Sequence, residues 1–136
     1  MVSVQAYMAD DHYKSVISNG RHELIADEPL KVGGEDLGFA PEELLCSALA
    51  ACTNATLRMY ADRKGWPLTG VRTKVDFERD TERNISRLTR EVELFGDLNV
   101  EQRQRLLAIA NACPMHKTLS NPISIETSLK RDDPNH

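Results

Sequence analysis

The sequence predicts an α+β fold with antiparallel sheets, built as a single domain over residues 1–136. Three observations predict it. Short runs near the N-terminus and around Val71–Phe77 alternate apolar and polar residues, the period of a half-buried strand. The stretch from Pro41 to Lys64 has the start and stop signals of one long helix. The strands are joined by turn signals or separated by a helix in an order, three strands, long helix, two strands, second helix, one strand, that suits an antiparallel domain.

Val2, Val4, Ala6 and Met8 alternate with polar neighbours and form the first expected strand. Tyr13 to Ser18 is the second, Asn19-Gly20 is a two-residue hairpin signal, and Arg21 to Ala26 returns as the third. Asp27 to Ala40 carries Pro29, Gly33, Gly34 and Gly38 and reads as a loop, long enough to line a site or wrap a partner. Pro41 suits a first helical turn, Glu42 and Glu43 complement the positive end of the helix dipole, and Gly65 with Pro67 stops the helix after Arg63 and Lys64. Between Leu44 and Ala55 there is no charge, so this helix is expected to be buried on nearly all sides. Trp66 packs at its end.

Val71, Thr73, Val75 and Phe77 define the next strand, Asp80 to Asn84 a turn, and Leu88, Val92 and Leu94 its successor, with charged residues between. Asn99 and Gln102 are spaced as reciprocal caps of a second helix whose apolar face is Leu106, Leu107, Ile109 and Ala110. Cys113-Pro114 ends it, and Met115 to Leu119 form a short helix with Pro114 in its first turn. Ile123, Ile125, Thr127 and Leu129 alternate as a last strand, and Asp132 to His136 is a frayed tail. One thin sheet covers one side of an all-round apolar helix, and this mismatch implies a homodimer.

At 40% hydrophobic and 28% charged residues the chain is globular, and its formal net charge of -4 argues against nucleic acid and anionic membranes as partners. No apolar run has the length of a membrane span and no signal peptide is evident, so a cytoplasmic location is expected. Three cysteines, an odd number, do not make a secreted disulfide framework. In a reducing compartment they point to catalysis or metal binding.

Cys52 lies mid-helix, away from any helix N-terminus, and burial alone makes such a thiol inert. If it reacts, a cation must reach it from elsewhere; Arg21 is one candidate, whereas Arg58 lies about 120° round the same helix. Cys113, at the start of the short helix, meets backbone N–H groups that favour thiolate. Cys46 is also about 120° from Cys52 and shares no face with it. On spacing alone, a cysteine within an alanine-rich helix is most often a small core residue. Cys113-x-x-His116 is spaced for two zinc ligands, with Cys46 or Cys52 as a third, but no second matched pair exists. His12, His22 and His136 lack ligand spacing. Phosphate loops, nucleophile elbows and paired-carboxylate signatures are absent.

Pro41-Glu42-Glu43-Leu44-Leu45 followed by Ala50-Ala51-Cys52, together with Cys113-Pro114-Met115-His116-Lys117-Thr118-Leu119, resembles the OsmC/Ohr family of osmotically inducible and organic hydroperoxide resistance proteins. The resemblance covers nearly the whole chain. It implies an OsmC-like domain with sheets packed on two central helices in an intertwined homodimer, and a cysteine-based peroxidase of organic hydroperoxides acting in oxidative-stress defence. It implies Cys52 as the peroxidatic cysteine, Cys113 as the resolving one, Glu42 as the partner of the active-site arginine, and Arg21 as that arginine. It implies no bound cofactor or metal, and a small or protein dithiol, such as a lipoyl group, as external reductant. The ten residues of helix from Glu42 to Cys52 span about 15 Å, so the Glu42 that approaches a given Cys52 is expected from the partner chain. A redox-sensing or small-ligand-binding protein on the same scaffold is the competing expectation. Cys46, Thr53 and the segment from His22 to Pro29 depart from the pattern of the best-known subgroups.

Overall fold

The computed structural model describes residues 1–131; the tail expected for Asp132 to His136 lies outside the described residues. The first three strands, β1 (Gln5–Tyr7), β2 (Ser15–Ser18) and β3 (Glu23–Ala26), form one antiparallel sheet in the order β1-β2-β3. Ser18 pairs with Glu23, so the connection is longer than the two-residue turn that Asn19-Gly20 predicts. The Asn19 side chain explains this: its Oδ1 accepts the N–H groups of Arg21 (2.9 Å) and His22 (2.8 Å), taking the His22 N–H that would complete an Asn19–His22 pair, while the Asn19 N–H still reaches His22 O at 3.2 Å.

The following loop is ordered by Asp27, only 2% exposed. Its carboxylate accepts the N–H groups of Glu28 (2.7 Å), Leu37 (3.1 Å) and Tyr13 (3.3 Å). Burial pushes this carboxyl up, but the backbone donors outweigh it and hold it below its usual value. The loop folds back so closely that a Cβ on Gly34 would collide with the backbone of Glu28.

Helix α1 (Pro41–Lys64) begins where expected. Glu43, in its first turn, accepts the Ala40 N–H at 2.9 Å. Gly65, at φ 70°, ends it in the left-handed conformation. A long hairpin follows, β4 (Leu68–Asp80) paired antiparallel with β5 (Ile85–Gly96). Helix α2 (Val100–Ala110) carries the reciprocal cap: Asn99 Oδ1 accepts the Gln102 N–H and Gln102 Oε1 accepts the Asn99 N–H. Helix α3 (Pro114–Ser120) starts at Pro114.

The core joins the C-terminal half of α1 to α2 through Leu57, Ala61, Leu68, Leu98, Leu106 and Ala110. Each fully buried leucine there contributes about 1.5–3 kcal/mol. Burial of α1 is narrower than the sequence predicts. Leu49, Thr53, Leu57 and Ala61 form one buried stripe, spaced so as to lie one above another, while Ala51, Ala55 and Met59 on another face are exposed. One hairpin and two short helices cover one side of a rod and no more. The last strand is also absent among the described residues. Ile123, Ile125 and Leu129 are 60%, 83% and 98% exposed and pair with nothing, because an alternating segment becomes a strand only when a sheet edge receives it.

Candidate functional site

The fold brings Cys52 and Cys113, distant in sequence, within hydrogen-bonding reach of each other. Helix α1 supplies Cys52, which is partly exposed, next to the buried stripe. The α2–α3 junction supplies Cys113, which is fully buried as the residue preceding Pro114. Both are free thiols, as is Cys46.

Their environments differ. Burial pushes the Cys113 thiol up, but the Cys52 S–H, the His116 and Met115 N–H groups and the Thr53 hydroxyl all bond its anion, and the balance is lowered. Burial pushes Cys52 up, and its service as donor to Cys113 pushes it further; the Met115 N–H and the Thr56 hydroxyl do not reverse this. Within one chain the pair therefore loses its first proton from Cys113. Cys46 is pushed up by burial and by the carboxylates of Asp76, Glu43 and Glu42, which makes it a poor nucleophile.

A cation is linked to this pair through Thr53, and it is not among the residues the sequence marks. Arg90 of β5 donates through Nη1 to Thr53 Oγ1 at 3.1 Å, and through Nη2 to Asn111 Oδ1 and His116 Nδ1, both at 3.0 Å. Arginine has no acceptor, so His116 Nδ1 must accept and its proton sits on Nε2. Thr53 has a single hydroxyl proton. It points at Leu49 O (2.7 Å), and by rotating it can instead serve the Cys113 thiolate. The N–H that Arg90 presents to Thr53 Oγ1 makes that hydroxyl a better donor. The signal for Arg90 was present: it falls in phase with Leu88, Val92 and Leu94, where the strand alternation calls for an apolar residue.

The remaining expected residues are not gathered here. Arg21 is exposed in the β2–β3 turn and Glu42 is exposed in the first turn of α1. Neither side chain makes a hydrogen bond or ion pair among the described residues. Arg58 bonds Leu68 O at 2.5 Å and faces Asp62 at 3.7 Å, which occupies it at the far end of the helix. The zinc reading of Cys113 and His116 meets an obstacle, because the arginine bond on His116 Nδ1 places a positive charge beside the would-be ligand. Among the described residues no group of three or more His, Cys, Asp or Glu side chains is assembled for a metal, and no helix is long and apolar enough to cross a membrane.

Beyond Thr53 lies a cavity of about 660 Å³ between α1, the hairpin, α2 and α3. Leu45, Leu49, Phe77, Leu88 and Leu119 form much of its wall, and Arg90 and His116 are among its polar residues.

The fold has solved counterparts. The chain superposes on an OsmC-like protein from Mycoplasma pneumoniae with a TM-score of 0.76 at 20% identity, covering 88% of this chain and 87% of that one. An organic hydroperoxide resistance protein of Legionella pneumophila gives 0.65 at 22% identity, covering 88% of each chain. Another such protein, from Bacillus subtilis, gives 0.62 at 20% identity, covering 87% and 89%. At these identities the likeness is one of fold. Among curated proteins none matches the sequence. The family profile described as OsmC-like protein matches residues 33–128, which span α1, the hairpin, α2, α3 and both Cys52 and Cys113, and the chain belongs to the OsmC-like protein family.

Proposed function

We propose that this protein is a thiol-dependent peroxidase that reduces organic hydroperoxides and works as a homodimer. The meeting of Cys52 and Cys113 carries this reading: two free sulfurs in reach of each other, the outer one partly exposed and the inner one buried, form a dithiol that can close to a disulfide. Membership in the OsmC-like family supports it, as do relatives of the same fold named for organic hydroperoxide resistance.

In the proposed reaction the Cys52 thiolate attacks the terminal oxygen of R–O–OH. An S–O bond forms, the O–O bond breaks, and the leaving alkoxide takes a proton to become the alcohol. Cys52 is now the oxidised sulfenic acid. The Cys113 thiolate attacks its sulfur, forming the disulfide and expelling hydroxide, which leaves as water. An external dithiol then reduces the disulfide by exchange and is itself oxidised.

The charge must shift for this to run, because within one chain the anion favours Cys113. A cation beside Cys52 would draw the shared proton across to Cys113 and leave the exposed sulfur nucleophilic. Arg21 has an exposed guanidinium without an ion-pair partner among the described residues, and the partner chain's copy is proposed to supply that cation, with Glu42 orienting it. The exposed face of α1 at Ala51, Ala55 and Met59 and the exposed apolar side chains of the segment from Ile123 to Leu129 support dimerisation, since both would bury apolar surface against a second copy.

A second reading, a redox sensor with little turnover, is favoured by the surroundings of Cys52: burial pushes its thiol up, which disfavours a fast nucleophile. Peroxide consumption with a dithiol, comparing cumene hydroperoxide with hydrogen peroxide, separates the two. The peroxidase reading expects faster consumption of cumene hydroperoxide and its loss in Cys52→Ser. Oxidation to a Cys52–Cys113 disulfide without turnover supports the sensor. A peptide map with Cys46 in the bridge refutes both.

A further inference from the structure

We infer that the cavity behind Thr53 is a separate binding site for a small amphipathic anion, an apolar chain ending in a carboxylate. The inference does not rest on the peroxidase reading, because the cavity wall contains neither Cys52 nor Cys113. Its volume, about 660 Å³, lies within the range of ligand pockets, and its apolar majority with a few convergent polar groups has the make-up of one.

Charge decides which ligand. Arg90 is the one charged residue in the wall, and no carboxylate lies within ion-pair distance of it among the described residues. Its three bonded partners, Thr53, Asn111 and His116, are all neutral acceptors. They fix the guanidinium in place without neutralising it. Its Nε–H and a second Nη1–H have no acceptor among the described residues, and a carboxylate would receive both charge and hydrogen bonds. His116, holding its proton on Nε2, is a second donor in the same wall. A cationic ligand is repelled, and a neutral one leaves the charge uncompensated.

The test is calorimetric titration of the full chain with decanoate, decanol and decyltrimethylammonium. Decanoate is expected to bind about tenfold more tightly than decanol, the contribution of a hydrogen bond to a charged group, and the ammonium compound not to bind. Arg90→Met should erase the preference for decanoate while decanol binding persists. Arg90 also holds structure, so Ser120→Glu provides an independent variant: Ser120 is an exposed residue of the same wall, and a carboxylate there should likewise abolish the preference. Leu88→Trp should fill the cavity and remove binding of both decanoate and decanol. Equal affinity for decanoate and decanol, a preference that survives Ser120→Glu, or decanoate binding that survives Leu88→Trp in folded protein would each overturn the inference.

Discussion

Replacing Thr53 by valine separates the chemistry of the thiol pair from its packing. Thr53 is fully buried, and valine has nearly its shape. The change removes the hydroxyl that bonds the Cys113 anion and the oxygen that accepts Arg90 Nη1. A hydrogen bond to a charged group contributes about 1.5–3 kcal/mol. To serve the anion the single Thr53 proton gives up Leu49 O, about 1 kcal/mol, which leaves a net of about 0.5–2 kcal/mol; about 1.4 kcal/mol is a factor of ten, so the thiolate-to-thiol ratio of Cys113 at fixed pH should fall by about twofold to thirtyfold. Stability should change far less. The bond to Leu49 O is lost, about 1 kcal/mol, and a buried methyl is gained, which returns about 0.8 kcal/mol. Thiolate absorbance in the ultraviolet, followed against pH in a Cys46→Ala background, reads the ratio directly. Because Cys113 is lowered by its surroundings, it titrates first, and losing Thr53 should move that first titration to higher pH. An unchanged or lowered midpoint in a folded variant would refute the route from Arg90 through Thr53 to Cys113.

Other perturbations test the remaining arguments. Cys52→Ala should also raise the pH at which Cys113 titrates, since it removes the S–H donor to that sulfur; the same absorbance titration checks it. Asp27 has a folded value below its unfolded one, so its contribution to stability is complete above the usual carboxylate value of 3.8 and is lost as pH falls through the folded value. Asp27→Asn should therefore lower the melting temperature at neutral pH and flatten its decline in acid, measured by thermal unfolding across pH. Leu57→Ala, at a fully buried position between α1 and α2, should cost about 2–5 kcal/mol in chemical denaturation. Met59→Arg, at a residue 60% exposed on α1, should leave one chain folded and shift sedimentation from dimer to monomer; a dimer that persists moves the proposed interface elsewhere.

What the sequence reveals here depends on whether a residue's partner is local. The capping of α2 by Asn99 and Gln102, the stop at Gly65 and the start of α3 at Pro114 are all set by neighbours a few positions away, and each stands where the residues predict it. The Asn19-Gly20 turn was legible as a turn but not in length, because the pattern does not show that the Asn19 side chain captures two backbone donors. The segment from Ile123 to Leu129 alternates as a strand should, yet alternation specifies a face and not an edge, and no edge among the described residues receives it. At the site, the residue types Cys52 and Cys113 were visible, and the motif at Cys113 marked its helix start. The direction of charge between them was not, since it depends on where one threonine proton and one distant guanidinium lie. Arg90 breaks the apolar phase of β5, and Thr53 breaks the buried stripe of α1. Each is a local violation of pattern, and the two touch. A single polar residue in a core face is ambiguous; two that violate their patterns on facing elements and bond each other are placed there at a cost in burial, and that cost is recovered only if the charge they hold acts on something, here the buried sulfur on one side and the open cavity on the other.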